Sequence, residues 1–361
     1  MAQTQQIGEY RCPNCGGSIE FDAKMQKMKC PYCDEEYGVQ EIIDYSKRRE
    51  DKEKENSKFN VNTENTASDL NEFKCSYCGG EILGATENIA ASECPYCGNP
   101  VVMIGRVSGI MKPDMIIPFY IDKDGAKEAY KKYIKGKRLL PKKFADETRI
   151  EEIKGIYEPV WLFSSGVSGS LRWQGTKVRT WSDRNYRYTE TSYFDIDRTG
   201  DIAFSDVPVD GSKTLDNKLF NSVEPFDTGK SSQFSTGYLA GYYADKYDEN
   251  ADECSAVAYN RMKESVINNF ASTISGYGSL RLTHNYIELK NKQAKYAMYP
   301  MWLLTGAYKD KKYSFAMNGQ TGKFTGNLPV DMGAFFKWLL LLTGIFSAVI
   351  FAAIYIVSMM S

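Results

Sequence analysis

The feature that most constrains this chain is its last run of side chains. Residues 338–360, WLLLLTGIFSAVIFAAIYIVSMM, are 23 positions without a charge, and only Ser361 follows. At ~1.5 Å per residue the run makes roughly 34 Å of helix, enough to cross a hydrocarbon layer of ~30 Å with some tilt. Backbone in lipid has no water to bond, so a single crossing segment must be helical. Trp338 stands where amphipathic rings favour the interface, and Lys337 before it can keep its ammonium in water. A buried core helix this long would show a polar stripe, and none is present. Gly344, Ala348 and Ala352 share one face able to pack a second helix, which allows self-association; small lipid-facing residues give the same pattern. The start, MAQTQQIGEYRC, has no basic flank and no apolar run, so no signal peptide is expected. The expected arrangement is tail-anchored: a single pass in the cell membrane with the N-terminal bulk cytoplasmic.

Cysteine usage agrees with a reducing compartment. Of nine cysteines, eight fall in four Cys-x-x-Cys pairs. Cys12, Cys15, Cys30 and Cys33 form one quartet; Cys75, Cys78, Cys94 and Cys97 form the other. The gaps, 16–29 and 79–93, have the length of a short hairpin that brings two knuckles together. That spacing suits tetrahedral zinc with four soft ligands, so two Zn(2+) per chain are expected, each in a closed structural site. Gly16, Gly79 and Gly98 follow the second cysteine of their knuckles, where a positive φ lets backbone N–H groups turn toward sulfur. Asp34 takes that place in the second knuckle and tolerates the conformation better than most residues. Ile19 and Phe21 alternate with polar neighbours as a half-buried strand should.

The ribbons occupy 9–44 and 72–106, joined by a charged and polar linker, 45–71. The linker's start favours helix through Glu–Lys pairs, and its end is Asn/Thr/Ser-rich. Residues 9–44 hold eight acids against four bases, and 72–106 hold four against two. Phosphate binding needs clustered cations, so the ribbons favour protein partners and make nucleic acid an unfavoured ligand. The whole chain is balanced, Lys+Arg 45 against Asp+Glu 46. The one cationic cluster is 127–143, with eight bases and the acid Glu128. It is either a solvated helix face or a contact for anionic lipid headgroups.

Residues 116–330 read as one α+β domain with an antiparallel sheet. Tyr 25 and Phe 18 support a sheet-rich body. A short strand is expected over 116–120, a helix over 124–135 capped by Asp124, and a helix over 245–274 with Cys254 as a small buried hydrophobe. Asn318-Gly319 marks a hairpin. Pro159-Val160-Trp161-Leu162 and Pro300-Met301-Trp302-Leu303 echo each other as a weak internal duplication. No catalytic constellation appears. His284 is the single histidine, no Gly-x-Ser-x-Gly elbow exists, and Gly229-Lys230-Ser231 lacks the upstream glycine of a P-loop. Asp195, Asp197, Asp201 and Asp206 suit turn or edge positions. The chain is expected not to be an enzyme.

The two cysteine quartets, Ile117-Pro118-Phe119, the two Pro-x-Trp strands and Asn318-Gly319-Gln320-Thr321-Gly322-Lys323 together resemble a bacterial family of membrane-anchored proteins with TFIIB-type zinc ribbons. Members of the YdjG type are associated with phage-shock-like envelope stress systems that include PspA-like and SPFH-type proteins. The resemblance implies a tail-anchored scaffold that recruits cytosolic proteins. The alternative is a membrane-tethered, transcription-related nucleic-acid binder.

Overall fold

Both quartets end up in small antiparallel ribbons, but those ribbons are built into different parts of the fold. The structure is a computed structural model that describes residues 10–22, 25, 27–61, 71–84, 93–99, 101–106, 111–145, 152–239, 242–308 and 311–360. Glu9, Lys24, Glu87, the linker's 62–70 and the side chain of Phe21 lie outside the described residues.

In chain order the elements are β1 (Glu20–Asp22), β2 (Lys27–Lys29), β3 (Glu36–Tyr37), α1 (Val39–Ser57), β4 (Asn60–Val61), β5 (Asn71–Cys75), β6 (Glu81–Gly84) and β7 (Val101–Arg106). There follow β8 (Met115–Ile116), α2 (Lys123–Ile134), β9 (Lys154–Ser182), β10 (Arg187–Asp210), α3 (Asn217–Val223), β11 (Ser232–Gln233) and β12 (Tyr243–Asp245). The chain closes with α4 (Ala251–Ser272), β13 (Ser279–Tyr308), β14 (Lys311–Asn318), β15 (Phe324–Gly326) and α5 (Met332–Met360). The α+β class is as expected. By contact, the chain forms two compact units, and both draw on residues 116–330. β9 and β13 each contribute one end to one unit and the other end to the second, and strand periodicity does not reveal such a division.

The first unit is Met1–Asn62, Trp161–Val209 and Asn250–Lys295. Its ribbon is the sheet β1–β2–β3, with Phe21 opposite Met28 and Met28 opposite Tyr37. Cys12, Ile19, Met28, Cys30 and Ile42 form a core of its own, Ile42 being supplied by α1. That α1 continues through the first part of the linker fits its Glu–Lys spacing. Behind it, β9 pairs with β10, and Val167, Leu171 and Trp173 on β9 are buried at the alternate spacing of a strand. α4 starts at Ala251, where Asn250 and Glu253 make a reciprocal capping box, not at 245, which belongs to β12. Its apolar stripe includes Cys254, Ala258, Met262, Val266 and Phe270. Cys254 is buried, as expected for a small hydrophobe.

The second unit is Thr63–Val160, Asp210–Glu249 and Tyr296–Ser361. Here the ribbon strands are sheet strands. β5 lies between β6 and β7, β6 pairs with β12, and β12 runs parallel to β9 at Tyr243–Ile156. β8 runs parallel to β13 at Met115–Ala297, and β14 joins β13 and β15 antiparallel. The sheet is therefore mostly antiparallel with short parallel pairings. β8 stops at Ile116 instead of running to 120, since Pro118 cannot donate to a ladder. The cap of α2 is Asp122 rather than Asp124. Asp122 is extended and accepts from the Gly125 N–H at 2.8 Å, while Asp124 sits in the first turn and pairs with Lys127. Phe119 stacks on Tyr242 at 4.1 Å and meets Tyr157 and Trp302 edge-on. Tyr130, Phe144, Phe315 and Trp302 fill the adjoining core. The echoed Pro-x-Trp motifs sit near the start of β9 and near the end of β13, so they do not occupy matching positions.

The hairpin at Asn318 forms as expected. The Asn318 Oδ1 accepts from the Gln320 and Thr321 N–H groups, and its amide donates to Val223 and Pro225 carbonyls. α5 begins earlier than 338: Asp331 accepts from Gly333 and Ala334 N–H groups and starts the helix at Met332.

Candidate metal centres

The four knuckles are built alike. In each, the residue after the second cysteine returns its N–H to the carbonyl of the first: Gly16 to Cys12, Asp34 to Cys30, Gly79 to Cys75, and Gly98 to Cys94, at 2.9–3.0 Å. In each, the first cysteine also donates its own N–H onward, to Gly17, Glu35, Gly80 and Asn99 carbonyls. The turn requires a left-handed residue, and φ is +71° at Gly16, +78° at Gly79, +76° at Gly98 and +59° at Asp34. Among the described non-glycine residues only three have positive φ, and Asp34 is one.

The turns bring all eight expected ligands together as two quartets, with the sulfurs of each within 4.8 Å of one another. The pairing is the same in both: Cys12–Cys33 at 3.6 Å and Cys15–Cys30 at 3.4 Å, Cys75–Cys97 at 3.5 Å and Cys78–Cys94 at 3.6 Å. A disulfide would need about 2.05 Å. A tetrahedron of thiolates ~2.3 Å from zinc has edges of roughly 3.8 Å, close to these separations. Each quartet can hold a metal ion, and the all-sulfur donor set is consistent with zinc. Burial pushes the Cys15 thiol up to about 12. Burial also raises Cys97, but hydrogen bonds from the side-chain and backbone N–H groups of Asn99, together with those to Cys75 and Cys78, outweigh it and leave that thiol at about 7. A bound dication favours the thiolates at both quartets and releases protons as it binds.

The surroundings differ. Tyr32 of the first ribbon is 56% exposed, with the Arg281 guanidinium 4.8 Å from its ring centre. Its counterpart in the second ribbon, Tyr96, is 3% exposed and donates its hydroxyl to Glu158 Oε1 at 3.2 Å. The charge balance also differs from the sequence count. In the second ribbon, Glu72 and Glu81 pair with Lys246, Glu81 also with Lys74, and Glu93 with Lys154. Three of its four acids are thus neutralised within the fold, which removes most of the charge argument for that ribbon.

A buried carboxylate cluster is the feature that sequence reasoning missed. Glu158, Asp210 and Asp245 are 0%, 3% and 1% exposed. Asp245 accepts from the Ser212 hydroxyl at 2.6 Å and Asp210 from the Ser212 N–H at 3.1 Å. Glu158 Oε2 has no hydrogen-bond partner among the described residues. Burial, reinforced by the charges of Asp245 and Asp210, raises Glu158 well above the carboxylate range. Burial likewise carries Asp210 to about 8 and Asp245 to about 7. The one signal was an acid inside the apolar run Tyr157-Glu158-Pro159-Val160-Trp161. The acids that were singled out serve the hairpin instead: Asp197 pairs with Arg172 and Asp201 accepts from Ser168.

At the other end, α5 is long and apolar enough to cross a membrane, and its described side chains over 339–355 are exposed. The basic stretch meets its foot. The Arg138 guanidinium lies 4.5 Å from the Trp338 ring centre, and the Asp331 N–H bonds the Leu139 carbonyl at 2.8 Å.

Fold and sites define an α+β protein with two four-cysteine ribbons that could each hold a metal ion, and an apolar C-terminal helix. No family model matches the chain, and no solved structure does. Over 332 residues it is 31% identical to a Bacillus subtilis strain 168 protein described as uncharacterized protein YdjG, covering 92% of this chain and 93% of that one. The chain belongs to the YdjG family.

Proposed function

We propose that the protein is a tail-anchored adaptor whose two zinc ribbons, of the TFIIB type, hold cytosolic protein partners beside the cell membrane. The observation that carries this reading is the joint between α5 and the basic stretch. Arg138, against the Trp338 ring, puts a cation at the entry of α5, the one helix among the described residues that suits a bilayer. Lys137 stands over the Tyr133 ring at 3.5 Å in the same stretch. Such cations add about 1 kcal/mol each against an anionic surface. The ribbons support the partner-binding half. Their ligands are all cysteine, so a bound zinc keeps no open position and acts as a structural element. Tyr77, 79% exposed on the second ribbon, and Tyr32 on the first are apolar surfaces of the kind interfaces use. Proteins of envelope stress systems, PspA-like or SPFH-type, are the partners to seek first.

Two measurements test the reading. The protein should stay in the membrane fraction through a high-salt wash and leave it only with detergent; release by salt alone would remove the anchor. Detergent extracts should yield a protein partner that is lost in the Cys75→Ser/Cys78→Ser variant, and an unchanged partner set would remove the ribbon from the interface.

A further inference from the structure

Within the first unit, a cleft of about 810 Å³ opens where the first ribbon, α1, α4 and β13 meet. Small-molecule sites fall in the range of ~300–1,000 Å³. Five cations line it: Arg11 from the first knuckle, Arg48 and Arg49 from α1, Lys263 from α4, and Lys292 from β13. Among the described residues, Glu288 is the one carboxylate on its wall. This is the reverse of the acidic surface that the ribbon's composition implied. Arg11, Arg49, Lys263 and Lys292 also have partners within the fold; a described lining with five cations and one carboxylate still suits an anion, and guanidinium forks match phosphate oxygens in pairs.

The arrangement of rings narrows the class. α1 presents Tyr45 and Arg49, and α4 presents Tyr259 and Lys263, each pair at i,i+4 on one helix face. Lys263 Nζ lies 5.5 Å from the Tyr259 ring centre. Two helices thus deliver the same aromatic–cation pair to one cleft, and Tyr286 of β13 adds a third ring. Tyrosine faces accept a flat ring by stacking. The knuckle is seated firmly: a Cβ at Gly16 would stand 2.0 Å from the Thr283 carbonyl oxygen, so only glycine lets the ribbon lie against β13 and carry Arg11 to the wall.

We propose that this cleft binds a phosphorylated small molecule bearing a flat ring, the chemistry of a nucleotide. The test is calorimetric titration of the full, zinc-loaded chain in detergent with ATP, inorganic pyrophosphate and glycerol phosphate as probes. ATP should bind once per chain with Kd below about 100 μM, pyrophosphate more weakly, and glycerol phosphate weakest. Arg48→Glu/Lys292→Glu should weaken ATP by about tenfold or more at unchanged zinc content and unfolding temperature. Arg48→Ala, on an exposed position of α1, is the milder variant should the first fail to fold. Tyr286→Ala should weaken ATP but leave pyrophosphate unchanged. The proposal is overturned by an absence of heat with ATP up to about 1 mM, or by unchanged affinity in the Arg48 variants. It is also overturned by glycerol phosphate binding as tightly as ATP, which would make the source a lipid headgroup, or by a single-stranded oligonucleotide binding more tightly than ATP.

Discussion

The two ribbons use the same four-sulfur chemistry and the same knuckle turn, yet they do different mechanical work. The first is a small sheet that closes over its own core of Cys12, Ile19, Met28, Cys30 and Ile42. The second is continuous with a larger sheet: β5 and β6 are strands of it, and Tyr96 reaches a fully buried glutamate. A metal ligand set therefore fixes the local turn but not the range over which the metal's binding energy is felt. That range depends on which strands the knuckles are continuous with.

The largest expected effect comes from removing one ligand from each ribbon in turn. Cys30→Ser and Cys94→Ser should each lower zinc content by about one atom per chain and remove on the order of 10–16 kcal/mol of metal binding energy. Cys94→Ser should in addition destroy the cooperative thermal transition of the second unit, whereas Cys30→Ser should leave that transition in place. Equal damage from the two would break the contrast.

Next in size, Gly16→Ala should cost more than Gly98→Ala. Both pay for a positive φ, about 1–2 kcal/mol. Only Gly16 also meets a backbone oxygen at 2.0 Å, while a Cβ at Gly98 has nothing within 4 Å. Chemical denaturation of the zinc-loaded variants gives the difference, and equal costs would show that the first ribbon is not held against β13.

The paired tyrosines sharpen the comparison further. Tyr96→Phe removes the hydroxyl donor from Glu158 and leaves a buried acceptor, so a loss of about 1–3 kcal/mol is expected. Tyr32→Phe, at the matching and largely exposed position, should stay within about 0.5 kcal/mol of the parent.

The smallest effect is a pH slope confined to the second unit. Asp210 at about 8 and Asp245 at about 7 hold protons in the folded state that the unfolded chain, with ordinary aspartates near 3.8, has already released. Stability contributed by these groups is therefore complete at low pH and declines as pH rises toward 8. Followed between about pH 6 and pH 8, where acid does not strip the thiolates, the unit should weaken with rising pH. Asp210→Asn keeps an acceptor for the Ser212 N–H and should flatten that slope by about 1 kcal/mol per pH unit. A slope unchanged in the variant would place the titration elsewhere.

Much of this architecture was legible without coordinates. Cysteine spacing announced two closed quartets because tetrahedral thiolate coordination leaves little freedom in loop length. Positive φ at Gly16, Asp34, Gly79 and Gly98 followed from the turn that such a knuckle must make. The apolar stretch announced its helix because lipid admits no other backbone state. Helix starts differ by a few positions: Asp122 rather than Asp124 caps α2, and α4 starts after its cap Asn250 rather than at 245. Several polar residues there can cap, and the backbone conformation that selects one is not written in composition.

What the sequence determined by itself was local: donor atoms, turns, helix periodicity and a membrane-length apolar run, each set by interactions within a few residues. What only the tertiary structure decided was everything that depends on distant partners. Glu158, Asp210 and Asp245 lie far apart in the chain and become one buried group only when β9 and β12 pair. The lysines that neutralise the second ribbon, and the five cations that gather around Tyr45 and Tyr259, come from separate segments. Charge is counted along a chain but acts through space, so a ribbon that looks acidic in sequence can face a basic cleft in the fold.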